Sequence, residues 1–320
     1  MPTLILTAKD VKELIDMPEV IEVVEKAFAD WANGKAAMPP KAYVQVERGD
    51  FRAMPAAIPG GAGLKWVNVH PDNPSRNLPT VMAILIYNDP STGYPLAIMD
   101  ATELTAYRTG AAAAVASKYL ARRDSRTLGL IGAGRQAHTQ LMAHLSLFDL
   151  QEVRAYDRSP AATDRLIKAF PKTRIRAASL ADAAESDIVC TVTPAHEPVL
   201  MKEHVRPGTH VNAIGADAAG KEELDPSILN NAVVVVDEIV QASRSGEINV
   251  PVSKGLFKVE SIFATLGDIV SGKKVFERRP SAVTVFDSTG VAIEDVATAK
   301  LIYERARAEE RYHAVDMVEA

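Results

Sequence analysis

Apolar positions along the chain follow two rhythms, and the points where one replaces the other predict its organisation. Thr7, with Asp10 three residues later, resembles a capping box opening a helix. Pro18 suits the first turn of a second helix, whose apolar residues Val20, Val24, Ala27, Phe28 and Trp31 recur at helical spacing before Gly34 offers a C-terminal stop. Beyond Pro39-Pro40 the period drops towards two. Residues 41–47, 63–69, 80–87 and 94–101 read as strands separated by Pro, Gly, Asn and Asp. The segment Asn88-Asp89-Pro90-Ser91-Thr92-Gly93 is a turn signal, so the last two strands are expected to form an antiparallel hairpin. Helices followed by consecutive strands predict an α+β domain. An alanine-rich helix over 105–122 then carries the chain onward.

From Thr127 the pattern becomes strand, helix, strand, helix, with apolar strands expected at 127–131, 153–157, 188–193, 210–216, 233–237 and 283–286. Short apolar runs alternating with amphipathic segments mark a parallel sheet covered on both faces. After Asp287-Ser288-Thr289-Gly290, a helix over 293–310 is expected to return to the first domain. The fold class is therefore α/β, with a Rossmann-type doubly wound parallel sheet over 123–292 and a second, α+β domain made of 1–122 and 293–320. A length of 320 residues agrees with two domains.

The most specific motif is Leu128-Gly-Leu-Ile-Gly132-Ala-Gly134-Arg-Gln-Ala137, between a predicted strand and a predicted helix. Gly132 permits the tight turn, Gly134 removes the side chain that would block a pyrophosphate, and Ala137 lets the helix pack on its strand. The helix N-terminus adds N–H groups and partial positive charge. The next predicted strand ends at Asp157, where a carboxylate can accept from ribose hydroxyls. Asp157 favours NAD over NADP, because a 2′-phosphate would meet its charge. Arg158 and Ser159 are the neighbours able to hold such a phosphate, so NADP stays open as the less favoured cofactor.

Charge and composition narrow the partners. A net charge of −5, with no Lys/Arg run interleaved with aromatics, argues against nucleic acid. The first apolar stretch is too short for a signal peptide, and no apolar run approaches the roughly 20 residues needed to cross a bilayer. The one cysteine, Cys190, lies in an apolar run, reads as a buried structural thiol and fits a reducing compartment. A cytoplasmic protein that touches no membrane is expected. The seven histidines show no metal-binding spacing, so no metal is expected.

Five side chains carry candidate chemistry. Lys65 alternates onto the face of Val67 and Val69, where a lysine is costly unless it is paired or its pKa falls. Arg52 shares a face with Met54, and Arg108 reads as starting the alanine-rich helix, where a cation opposes the helix dipole and an incoming anion would relieve the conflict. Together, with Lys41 as a weaker fourth member, they fit a carboxylate pocket. Asp217, in Asn212-Ala-Ile-Gly215-Ala216-Asp217, falls beyond the end of a parallel strand, where a nicotinamide is expected to lie. Gly215 allows close approach of the backbone, and Asp217 can take up and deliver protons. The alternative reading of Asp217 is a helix cap ahead of Ala218-Ala-Gly-Lys-Glu222.

At these residues the chain resembles the ornithine cyclodeaminase/mu-crystallin family over nearly its whole length. The likeness rests on Met38-Pro-Pro-Lys41, Arg52-Ala-Met-Pro, Gly63-Leu-Lys65-Trp-Val-Asn, Leu78-Pro-Thr80-Val-Met-Ala, Met99-Asp-Ala, Arg108-Thr-Gly-Ala, Gly132-Ala-Gly-Arg-Gln-Ala, Asn212-Ala-Ile-Gly-Ala-Asp217, Gly246-Glu-Ile-Asn and Phe286-Asp-Ser-Thr-Gly290. The resemblance implies that Arg52, Lys65 and Arg108, with Lys41, hold a substrate carboxylate, that Lys65 also lies near the reacting carbon, and that Asp217 is the acid/base. It implies cofactor contacts from Thr80, Arg135, Gln136, Asp157, Thr193, Lys221 and Ser288, and Arg108, Gly215, Ala216 and Asp217 are expected at the cofactor as well. It also implies a homodimer formed through the sheet of the first, substrate-binding domain.

Within the family the likeness is greatest to alanine dehydrogenases of archaeal type. The expected activity is therefore NAD-dependent oxidative deamination of a small amino acid, L-alanine first, to a 2-oxo acid. Ornithine cyclisation, reduction of a cyclic imine such as pyrroline-2-carboxylate, and cofactor binding without catalysis are the competing readings.

Overall fold

The computed structural model describes residues 2–318. The chain divides into two compact units, Met1–Arg108 with Val291–Ala320, and Thr109–Gly290.

The first unit is built on a seven-stranded sheet. Its order is His313–Val315, Thr3–Leu6, Pro95–Asp100, Val81–Asn88, Gly61–Val69, Gly49–Ile58 and Ala42–Val46. All neighbours are antiparallel except Thr3–Leu6, which pairs in parallel with Pro95–Asp100. Both chain ends thus enter one sheet. The expected capping box is present: Thr7 and Asp10 exchange backbone and side-chain hydrogen bonds at the start of the helix Ala8–Leu14. The helix Met17–Ala32 buries Val20, Val24, Ala27 and Phe28, whereas Trp31 is only half-buried. Gly34 follows with φ of 71°, a left-handed conformation suited to a residue without Cβ.

The strand Gly49–Ile58 has no counterpart among the strands expected from sequence, because Pro55 lies within it. Pairing with Ala42–Val46 stops at Ala42↔Ala53 and resumes only as the isolated bridge Ala37↔Ala57. Pro55 therefore occupies a gap in the ladder, where its missing N–H costs nothing.

The second unit carries an eight-stranded sheet in the order Ala264–Thr265, Ala232–Val236, Val283–Asp287, His210–Ala213, Ile188–Thr191, Thr127–Ile131, Glu152–Tyr156 and Ile175–Ala177. Every pairing is parallel. One apolar layer contains Ile131, Val189, Val211, Val234 and Val285; the other contains Leu128, Leu130, Val153, Ile188 and Cys190. Alternate residues of each strand thus feed opposite layers, as a doubly covered sheet requires. The strand order reverses beside Thr127–Ile131, the strand that leads into the glycine loop.

The division falls at Arg108/Thr109, inside the helix Thr102–Leu120, rather than at residue 122 as expected, and at Gly290/Val291 rather than 292/293. A buried polar network explains the first shift. Ser117 Oγ donates to Ala113 O and meets His144 Nε2 at 2.8 Å. Asn212 Nδ2 donates to Ser117 Oγ, Asn212 Oδ1 meets His210 Nε2, and His210 Nδ1 meets Thr284 Oγ1. Thr284 in turn donates to Leu120 O. These bonds tie the second half of the helix to the parallel sheet. Burial lowers the pKa of His144 to about 4 and of His210 to about 3, so both rings are neutral.

Among the described residues, no group of His, Cys, Asp and Glu is arranged to hold a metal ion, and no helix is long and apolar enough to cross a membrane.

Candidate active site

In the second unit the glycine loop has the geometry its motif requires. Gly132 has φ of 102°, and a Cβ there would lie 3.0 Å from Val192 Cγ2 and Val192 O. A side chain there would be strained by the conformation and would crowd Val192. Gly134 precedes the helix Arg135–Leu147, and a Cβ on it would meet nothing within 4 Å. That open side, at a helix start with no side-chain cap, fits a pyrophosphate.

Asp157 follows the strand Glu152–Tyr156. Its Oδ2 accepts from Ala133 N and its Oδ1 from Ser159 N, each at 2.8 Å. The carboxylate is therefore fixed against the glycine loop, with lone pairs left for a ribose. Arg135, Arg158 and Ser159 are exposed beside it, and Gln136 accepts from Thr139 Oγ1. These residues fit a dinucleotide.

The remaining candidates of this unit lie at the C-terminal ends of its parallel strands. Asp217 is four residues beyond His210–Ala213 and accepts from Lys221 Nζ at 2.6 Å. The helix-cap reading of Asp217 falls, because no helix begins at 218. The next helix, Pro226–Leu229, is capped by Asp225. Lys221, expected at the cofactor, is thus the partner of Asp217. Ala216 is buried, and Ser288, after the strand Val283–Asp287, has a buried Oγ with no hydrogen-bond partner. Thr193 and Gly215 are both held by Glu223, a residue the sequence reading did not single out.

Glu223 is the first of several buried carboxylates. It accepts from Thr191 Oγ1, Thr193 N, Thr193 Oγ1 and Gly215 N at 2.7–2.8 Å. Its own N–H donates to Glu247, and the Glu247 N–H donates to Asp287. Asp237 accepts from Thr289 N, Gly290 N and Glu238 N. Burial raises the pKa of Glu223 against its hydrogen bonds. Burial, then Glu223, raises Glu247 well above the usual range, and burial, then Asp237, lifts Asp287 to about 8.

In the first unit, the strand Gly61–Val69 puts Lys65 and Val67 on the buried face and Trp66 on the other. Met54 stands opposite Lys65 and Arg52 opposite Val67, so the two cations are neighbours on one face of the sheet. Lys65 is 1% exposed, and its Nζ donates to Asp295 Oδ1 at 2.7 Å and to Thr105 Oγ1 at 3.3 Å. Arg108 Nε donates to the same Asp295 oxygen, and Nη1 to Glu294, both at 2.8 Å. Arg52 chelates Asp50 through Nε and Nη2 and lies over the Tyr43 ring.

Arg108 does not start its helix, so the expected conflict with the helix dipole is absent. The helix begins at Thr102, which places Arg108 in the second turn, and Glu294 and Asp295 supply the compensating charge. Neither acid was singled out from sequence, since two acids in the first turn of the helix Ala292–Ala308 read as dipole partners. Lys41 is near enough for its charge to act on Lys65, and Thr80 O accepts from His70 N in the same unit.

A Rossmann-type sheet with a fitted glycine loop, and a second α+β unit with a buried cation–carboxylate cluster, define a dinucleotide-dependent class of protein. The sequence model of the ornithine cyclodeaminase/mu-crystallin family matches residues 1–310, and the chain belongs to that family. It is 52% identical over 309 residues to the alanine dehydrogenase of Archaeoglobus fulgidus, covering 96% of each chain. Its structure superposes on an archaeal alanine dehydrogenase dimer with bound NAD at a TM-score of 0.97, with 48% identity over 99% of this chain and 100% of that one. It also resembles the Thermococcus litoralis Δ1-pyrroline-2-carboxylate reductase in complex with NADH and L-proline, with a TM-score of 0.94 and 38% identity over 98% and 100% of the two chains.

Burial first, and then Arg108, lowers the Lys65 pKa from 10.5 to about 7, although Asp295 opposes the shift. Between these values the unfolded chain holds a proton that the folded one lacks, so the lysine's effect on stability becomes more favourable as pH rises through that window. Denaturant unfolding from pH 7 to 10 is expected to show wild-type stability gaining on that of Lys65→Met, by up to about 1.4 kcal/mol per pH unit. Parallel curves for the two proteins would mean that Lys65 titrates normally.

Proposed function

We propose that this protein is an NAD-dependent oxidoreductase that interconverts L-alanine, water and NAD⁺ with pyruvate, ammonium, NADH and a proton. The observation that carries the cofactor is the Asp157 carboxylate, pinned by two backbone N–H groups beside an open Gly134. Alanine as substrate is supported by 52% identity to the Archaeoglobus fulgidus enzyme over 96% of both chains.

NAD, when bound, supplies the hydride acceptor. Gly132, Gly134, Arg135, Gln136, Asp157, Arg158, Ser159, Thr193, Gly215, Ala216, Asp217, Lys221 and Ser288 are its proposed contacts in the second unit; Thr80 and Arg108, which the resemblance and the sequence also put at the cofactor, belong to the first. Arg52, Lys65 and Arg108, with Lys41, bind the substrate carboxylate. Because Lys65 and Arg108 already hold Asp295 and Glu294, the substrate joins an existing hydrogen-bonded cluster, which fixes the direction of its α-carbon. Asp217 exchanges protons with the amino group and with the water that attacks the imine; its Lys221 partner keeps the carboxylate in place.

Similarity to the pyrroline-2-carboxylate reductase favours cyclic-imine reduction as the second reading. A panel of amino, oxo and imino acids followed at the NADH absorbance separates the two. L-Alanine with NAD⁺ should accumulate NADH, whereas a cyclodeaminase given ornithine forms proline with no net NADH. Inert alanine and inert pyruvate plus ammonium, with pyrroline-2-carboxylate reduced, would overturn the alanine assignment. Turnover of nothing on the panel, with NADH still bound, would indicate a non-catalytic binding protein.

Asp217→Asn should lower kcat by about 10²–10⁴ while the NADH Kd stays within a few-fold. Equal losses in both would make Asp217 a binding residue.

The active form is a homodimer. The outer face of the first unit's sheet exposes apolar side chains across adjacent strands, with Trp66 at 39% and Ile84 at 50% exposure opposite one another. The similar archaeal alanine dehydrogenase is a dimer. Light scattering should give twice the chain mass for wild type and a single-chain mass for Ile84→Glu. A dimeric Ile84→Glu protein would remove this face from the interface.

A further inference from the structure

We propose that Glu223 is a positioning residue that fixes the nicotinamide end of the cofactor site by holding the backbones of Thr193 and Gly215. The proposal rests on the NAD-binding reading above and assigns a role to a residue outside the proposed cofactor contacts.

The geometry is specific. Oε1 accepts from Thr193 N and Thr193 Oγ1, and Oε2 accepts from Gly215 N and Thr191 Oγ1. Thr191 ends the strand Ile188–Thr191, and Gly215 lies two residues beyond His210–Ala213, so one carboxylate spans two adjacent strand exits. These exits are tightly packed, since a Cβ on Gly215 would lie 2.1 Å from Thr193 O and 2.7 Å from the Glu223 carboxylate. Ligands of such sheets bind at these ends of the strands. The Glu223 backbone is itself held by Glu247, and the Glu247 backbone by Asp287, which extends the tether to the exit of Val283–Asp287.

Each carboxylate oxygen thus carries one hydroxyl donor and one backbone N–H. A hydroxyl can turn and accept; a backbone N–H cannot. In Glu223→Gln, which keeps the volume, the amide nitrogen must face Thr193 N or Gly215 N whichever way it is flipped, and one strand exit is pushed away. The glycine loop and Asp157, assigned above to the pyrophosphate and the adenosine ribose, contribute none of these donors.

Titration calorimetry with NADH and with ADP-ribose, which lacks the nicotinamide, tests the proposal. In Glu223→Gln the NADH Kd should rise about tenfold while the ADP-ribose Kd stays within about twofold. Equal changes for both ligands, or none for either, would overturn it. Thr191→Val, a near-isosteric change that removes only one hydroxyl, provides the same comparison if the glutamine variant does not fold. Its NADH Kd should rise about two- to fivefold with ADP-ribose unaffected, and an unchanged ratio of the two Kd values overturns the proposal. Wild-type protein that binds neither compound would instead sink the cofactor reading, and this assignment with it.

Discussion

Ionisable groups are costly to bury alone, and each unit of this protein meets that constraint in a different way. In the first, the buried Lys65 amine and Arg108 guanidinium are held by Asp295 and Glu294. In the second, Glu223, Glu247 and Asp287 are buried acids that accept from backbone N–H and hydroxyl groups. Cations paired with acids can rearrange when another anion arrives. Acids tied to backbone amides hold main chain in place and leave little freedom. The first arrangement suits the recognition of a substrate carboxylate, and the second suits a rigid rim around a cofactor.

The same constraint explains the course of the chain. Lys65 and Asp295 are 230 residues apart in sequence, and their pairing is made when the helix Ala292–Ala308 joins the first unit. Without that helix Lys65 and Arg108 would lose both their carboxylate partners and part of the surface that covers them. The return of the C-terminal segment thus completes the charge balance of the first unit as well as its apolar core.

What could be read from sequence was local. The glycine loop and the Thr7 capping box were legible because backbone conformation dictates residue type within a few positions. The parallel strands were legible as apolar runs, although 188–193 and 210–216 end early at Thr191 and Ala213, where the backbone turns out of the sheet towards Glu223. Lys65 stood out because it breaks an apolar alternation, and it proves both paired and shifted in pKa. Its partner was hidden, since an Asp in the first turn of a helix is what the helix dipole would favour on any surface. Glu223 was hidden for a related reason: nothing within Lys221-Glu222-Glu223 distinguishes a solvated acid from one that collects four donors from two other segments. Pro55 concealed a whole strand, because the gap in its partner ladder is a tertiary fact.

The fixing of Asp157 has a consequence for cofactor choice. A ribose diol donates to a carboxylate, whereas a 2′-phosphate at the same position brings like charge against it. An aspartate free to rotate could swing away and let Arg158 take the phosphate. Here Oδ2 is bonded to the loop through Ala133 N and Oδ1 to the next turn through Ser159 N, so rotation would break two backbone hydrogen bonds at once. Each such bond to a charged acceptor contributes about 1.5–3 kcal/mol. That penalty outweighs the modest gain from an exposed arginine–phosphate pair, so in the proposed cofactor site the turn after Glu152–Tyr156 would favour an unphosphorylated ribose by rigidity as well as by charge.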